Sequence, residues 1–144
     1  MARAYYSTVF EQSADAVWQT IRAFDHYAWA GTGIDAKMED GRSGDAVGSV
    51  RQVVTPDQPL RQRLLAHSDL DRSYSYEFCD SAPFPVHHYQ ATLRITPITD
   101  GDRAFVEWWA TFDCASSERD HWIDHFERNG FAIWLASLRA HVQA

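Results

Sequence analysis

Apolar and polar positions alternate with a period of two through the middle of the chain and with a helical period at both flanks. Residues 4–12, AYYSTVFEQ, set Tyr6, Thr8 and Phe10 against Tyr5, Ser7 and Val9 and predict a first strand. Ser13 then reads as an N-cap, and residues 14–24 as a short amphipathic helix with Val17, Trp18, Ile21 and Phe24 on its apolar side. DHYAWAG continues as a second short helix that stops at Gly31. Between Gly33 and Val54 the pattern changes to short strands, with EDGRSGD as a turn and VGSVRQVVT as a β-rich run.

Further strands follow at 60–68 (LRQRLLAHS) and in RSYSYEFCD, where Tyr74, Tyr76 and Phe78 oppose Ser73, Ser75 and Glu77. Two prolines in SAPFPV break the pattern. HHYQATLRITPI then puts Tyr89, Ala91, Leu93 and Ile95 on one side, TDGD signals a hairpin, and RAFVEWWATFD carries Val106, Trp108, Ala110 and Phe112 on its apolar face. Residues 117–141 predict one long helix, with Ser117 and Asp120 resembling a capping box. Its inward positions at helical spacing are Trp122, Phe126, Gly130, Ile133 or Trp134, and Ser137. Gly130 costs about 1 kcal/mol against Ala inside a helix, so it marks a kink or a close approach to the backbone.

Strands joined by short turns and flanked by helices predict an α+β class with an antiparallel sheet. No linker, repeat or low-complexity segment divides the 144 residues, so one domain over 1–144 is expected. Aromatic residues make up 14% of the chain, with six Trp, enough for a substantial core. The net charge of −7 argues against nucleic acid or an anionic membrane surface as the main partner. No apolar run approaches the ~20 residues of a membrane span, and the N-terminus carries no apolar signal segment. A cytoplasmic protein with Cys79 and Cys114 as free thiols is expected.

Several segments together resemble the START/Bet v 1-like helix-grip superfamily, and within it the SRPBCC, polyketide cyclase/dehydrase-like group. They are AVWQTIRAFDHYAWA (16–30), VGSVRQV (47–53), LRQRLLAHSDLDRSYSYEF (60–78), PFPVHHYQATLRITP (83–97), VEWWATF (106–112) and the NGF of 129–131. The resemblance implies a helix-grip fold. A curved antiparallel sheet of about seven strands would wrap around a long C-terminal helix, with two short helices after strand 1 and a deep cavity in between. Parity then places Gln62, Leu64, Tyr74, Tyr76, Phe78, Tyr89, Ala91, Trp108, Ala110 and Phe112 on its sheet wall. Trp122, Phe126, Gly130, Ile133 and Trp134 would face them, with Tyr27 and Trp29 at the mouth. Such a wall suits a flat or hydrophobic ligand held by few polar contacts. The alternative is that these aromatics fill a solid core.

Arg51 is the one charged residue in its β-rich run, and its direction is open: Val47 and Val53 share its parity, Val50 and Val54 the other. Facing inward, it would meet a ligand carboxylate, carbonyl or enolate. His121 and His125 lie one helical turn apart, but HWIDH lacks the glutamate of a metalloprotease helix and has no identifiable third ligand, so no metal is expected. No nucleophile elbow, phosphate loop or cofactor signature is present, and no catalytic residue is assigned.

The leading expectation is therefore a binding module for a small hydrophobic or aromatic molecule, with a homodimer compatible. The alternative is a cyclase, aromatase or dehydratase-like enzyme using Arg51, Tyr76 or His88. An acid–base pair inside the cavity would favour the enzyme, and dispersed donors the carrier. A third reading, a protein-interaction domain, requires a collapsed pocket and a large exposed apolar patch.

Overall fold

The structure, a computed structural model, describes residues 1–143. Seven strands form one antiparallel sheet: β1 (Ala2–Phe10), β2 (Asp35–Met38), β3 (Val50–Val54), β4 (Leu60–Ser68), β5 (Ser73–Phe78), β6 (His87–Ile98) and β7 (Arg103–Asp113). The order is β1-β7-β6-β5-β4-β3-β2, so consecutive strands pair from β2 to β7 and only β1 crosses over to join β7. Helix α1 (Ala14–Ile21) follows β1. Helices α2 (Arg119–Phe126) and α3 (Ala132–Gln143), joined by a π-helical turn at Glu127–Phe131, form the long C-terminal rod. This is the α+β, helix-grip arrangement expected from the sequence.

β4, β6 and β7 span the predicted residues, because turn-forming segments bound each run on both sides. β7 alternates half-buried and buried positions along its whole length. Bulges between Leu64 and Ala66 in β4, and between His87 and Gln90 in β6, bend the sheet around the helix. Ser13 caps α1 as expected, its hydroxyl accepting the Ala16 N–H at 3.2 Å. The second short helix is a single 3-10 turn, Ala28–Ala30. The expected capping box is absent: residues 116–118 form a 3-10 turn, and Glu118 at the N-cap of α2 makes no side-chain cap bond.

The C-terminal rod departs furthest from expectation. A straight helix continued from Phe126 would turn Ile133 inward. In the π turn the Ala132 N–H instead reaches the Glu127 carbonyl five residues back, which uses up one extra residue. The buried positions become Phe131 at the end of the turn and Leu135 and Leu138 beyond it, while Ile133 is 54% exposed. Ile133 is thus corrected to a surface residue. Gly130 marks a close approach: a Cβ there would stand 3.3 Å from the Trp134 ring, which folds back over it. The same rod covers the free edge of β1. The Tyr5 N–H donates to Glu127 Oε2 at 2.9 Å, and Arg139 Nη2 donates to the Val9 carbonyl at 2.9 Å.

Candidate functional site

The concave face is solid under α1. Trp18 packs against His67 and Tyr74, Phe24 against Tyr74 and Tyr76, and Trp108 against Trp29, Phe131 and Trp134, with ring centroids 5.1–6.3 Å apart. Leu64 and Ala110 are buried in the same layer. Of the residues expected to contact a ligand, Leu64, Tyr74, Trp108, Ala110 and Gly130 therefore sit in packed interior, and Trp29, itself buried, borders only an outer cleft beside His26 and Tyr27. Large aromatics fill that end because the bulged sheet brings them within ring-contact distance.

The opposite end differs. Between the ends of β3–β6 and the C-terminal rod lies an enclosed space of ≈ 90 Å³. Gln62, Tyr76, Phe78, Tyr89, Phe126 and Trp134 line it, joined by Tyr27 from the segment after α1. Ile34, Val53, Thr55, Leu60 and Phe84 complete the wall and were missed by sequence reasoning. Val53 and Leu60 were within reach of it, because they pair across β3–β4 in the row next to Arg51 and Gln62. Ile34 and Phe84 lie outside any periodic run. Phe84 rises from the proline-bracketed segment before β6, and its ring packs on Trp122, His125 and Phe126 at 5.5, 5.5 and 5.2 Å.

The space is smaller than the ~300–1,000 Å³ of ordinary ligand pockets. Two surface clefts of ≈ 510 Å³ each flank it, one sharing Val53, Leu60 and Phe78 and the other Phe78, Phe84 and Tyr89. Phe78 borders all three.

The polar groups converge at the deep side of the space. β3 turns Arg51 and Val53 inward, in line with the buried Ser49 just before it, which decides the direction of Arg51. Its guanidinium is wholly buried between the rings of Phe24 and Tyr27, 3.9 and 4.0 Å from their centroids. Nε and Nη2 donate to Gln62 Oε1 at 2.8 and 2.6 Å, and Nη1 donates to the Phe24 carbonyl at 2.9 Å. Every acceptor is neutral. Trp108 Nε1 donates to the Tyr76 hydroxyl at 3.2 Å. Burial pushes the Tyr27 hydroxyl up to about 12 against the opposing pull of Arg51. Burial also raises Tyr76 and Tyr89, so all three are protonated donors at neutral pH. Among the described residues, no Asp, Glu, His, Lys or Cys lines the space.

The histidines lie elsewhere. His88, weighed for the enzyme alternative, sits at the β6 bulge with φ 54°, its side chain 83% exposed and its Nδ1 3.0 Å from Asp113 Oδ2, on an outer cleft and not on the enclosed space. His121 and His125 stack at 6.3 Å on the flank of α2. Among the described residues no cluster of three or more His, Cys, Asp or Glu is arranged to hold a metal ion. No helix among them is long and apolar enough to cross a membrane.

Residues 1–143 match the family described as polyketide cyclase / dehydrase and lipid transport. Among solved structures, the protein XoxI from Bacillus cereus is 28% identical with a TM-score of 0.84, covering 99% of this chain and 96% of its own. A protein from Bacillus thuringiensis is 26% identical with a TM-score of 0.85, over 99% of this chain and 100% of that one. The di-domain aromatase/cyclase BexL of the BE-7585A biosynthetic pathway shares the fold, with a TM-score of 0.79, at 16% identity, over 99% of this chain and 47% of that one. No curated protein matches the chain.

Proposed function

Because the chain belongs to the polyketide cyclase/dehydrase and lipid transport family, we propose that it is a single-domain cytoplasmic carrier that binds a small hydrophobic or aromatic molecule. The site is the space between the ends of β3–β6 and the C-terminal rod. One observation carries this reading: a wall of aromatic and aliphatic side chains surrounds a few neutral donors, with no base among them. A ligand of one ring or more enlarges the ≈ 90 Å³ space by turning Phe78 or Phe84 toward the flanking clefts.

The enzyme reading has one observation in its favour. Arg51 behind Gln62, together with the Tyr76 hydroxyl, forms a donor-rich end suited to enolate charge. Proton abstraction would fall to water or to the substrate's own acidity, which places binding first. The interaction-domain reading would need the exposed large apolar residues Met1, Val9, Val47, Val54, Leu70 and Ile133 to form one patch, and no specific contact favours it.

Native mass spectrometry of freshly purified protein, beside its denatured mass, tests the carrier reading and reports a homodimer in the same spectrum. A thermal-shift screen of lipids and aromatic acids accompanies it. A co-purifying small molecule, or a ligand that raises the melting temperature, is the expected result. No adduct and no shift across the panel would refute it.

A further inference from the structure

Gln62 lines the space, and its amide has one permitted orientation. A glutamine presents either its oxygen or its nitrogen to a neighbour, and most sites allow a choice. Here the neighbour is Arg51, which has five donors and no acceptor. The reverse orientation would set N–H against N–H. Gln62 Oε1 takes both Nε and Nη2 of Arg51, so the Nε2 amide with its two N–H groups is the end left for a ligand. Tyr76 behaves alike: its oxygen accepts the Trp108 indole N–H, leaving its own proton to donate. The charge on Arg51 meets only neutral acceptors and ring faces.

Building on the ligand-binding reading above, we propose that the site selects small aromatic molecules bearing an anionic oxygen, a carboxylate or a phenolate, over molecules of the same shape bearing an ammonium or no polar group. An anionic oxygen completes the Gln62 and Tyr76 donors with charge-assisted hydrogen bonds and lies in the field of an otherwise uncompensated buried cation. An ammonium sets donors against donors and adds a second positive charge in a poorly screened interior. Arg51 acts here as a positioning residue. It touches the amide oxygen and aims the amide nitrogen, without lining the space itself.

Calorimetric titration of the intact protein with three one-ring probes tests this: benzoate, toluene and benzylammonium at neutral pH. Benzoate is expected to bind at least about tenfold tighter than toluene, the equivalent of one or two charge-assisted hydrogen bonds, with benzylammonium weakest. Gln62→Glu, whose carboxylate would pair with Arg51 and remove both amide donors, should weaken benzoate about tenfold or more and leave toluene within about twofold. Tyr76→Phe is the second variant, should Gln62→Glu fail to fold, and should weaken benzoate alone. Equal binding of toluene and benzoate, or benzoate binding that ignores both substitutions, overturns the selectivity while leaving a ligand site in place. Absence of binding by all three probes overturns the ligand-site reading and the selectivity together.

Discussion

Replacing Arg51 with Met keeps much of the aliphatic length of the side chain but strands two buried acceptors, Gln62 Oε1 and the Phe24 carbonyl. Each unsatisfied buried acceptor costs about 1–3 kcal/mol. Relief from burying a guanidinium offsets part of that, so Arg51→Met alone should destabilise by about 2–4 kcal/mol. Gln62→Leu alone takes away the acceptor of two of the three Arg51 hydrogen bonds and should cost about 3–4 kcal/mol, near the range for breaking a buried pair. The double variant leaves only the Phe24 carbonyl unpaired and should cost about 1–3 kcal/mol, well below the sum, for a coupling of roughly 4–5 kcal/mol. Urea unfolding followed by far-UV circular dichroism gives the four free energies. In thermal melts the rescue of the double variant over simple additivity should amount to roughly ten degrees or more, at about 2–4 °C per kcal/mol for a chain of this length. Costs that add to within about 0.5 kcal/mol would refute the claim that Arg51 and Gln62 act as a unit.

Phe84→Ala removes a half-buried ring from Trp122, His125 and Phe126; it should cost about 1–2 kcal/mol, below the 3–5 of a fully buried Phe, and red-shift Trp emission in fluorescence. Gly44→Ala places a Cβ 2.5 Å from Asp25 Oδ1 and 2.9 Å from the Phe24 nitrogen, so the loop that supports Phe24 must move. A loss of about 1–3 kcal/mol in urea unfolding is expected, and an unchanged midpoint would contradict the close contact. Burial, then the neighbouring His121, lowers the His125 pKa against the opposing pull of Asp124. As pH falls through the unfolded value near ~6.5, the unfolded chain takes the proton first, so stability is full above that pH and declines below it. The decline should be shallower in His125→Phe, measured by urea midpoints between about pH 5 and 8.

Most of the architecture was legible in the chain itself. Period-two alternation in β5, β6 and β7 set which side chains are buried, because a strand's faces alternate whatever lies above them. Ser13, the TDGD turn and the broken segment before β6 placed the boundaries through local backbone chemistry. Around the enclosed space, Tyr76, Phe78 and Tyr89 followed from that parity, Gln62 from the same parity in β4, and Phe126 and Trp134 from helical spacing. The rest depended on distant neighbours. The direction of Arg51 was open because valines flank both of its parities; Gln62, eleven residues away, and the Phe24 carbonyl, 27 away, draw it inside. Ile133 faces solvent because a π turn shifts the rod by one residue, and sequence periodicity assumes a uniform helix. Phe84 belongs to no period, and only the approach of α2 gives its ring a partner. Periodicity reports which face of an element is apolar. How far apart two apolar faces stand, and so whether aromatics meet as core or leave a space, is set by the bulges and the tilt of the C-terminal rod, which exist only once distant segments have packed.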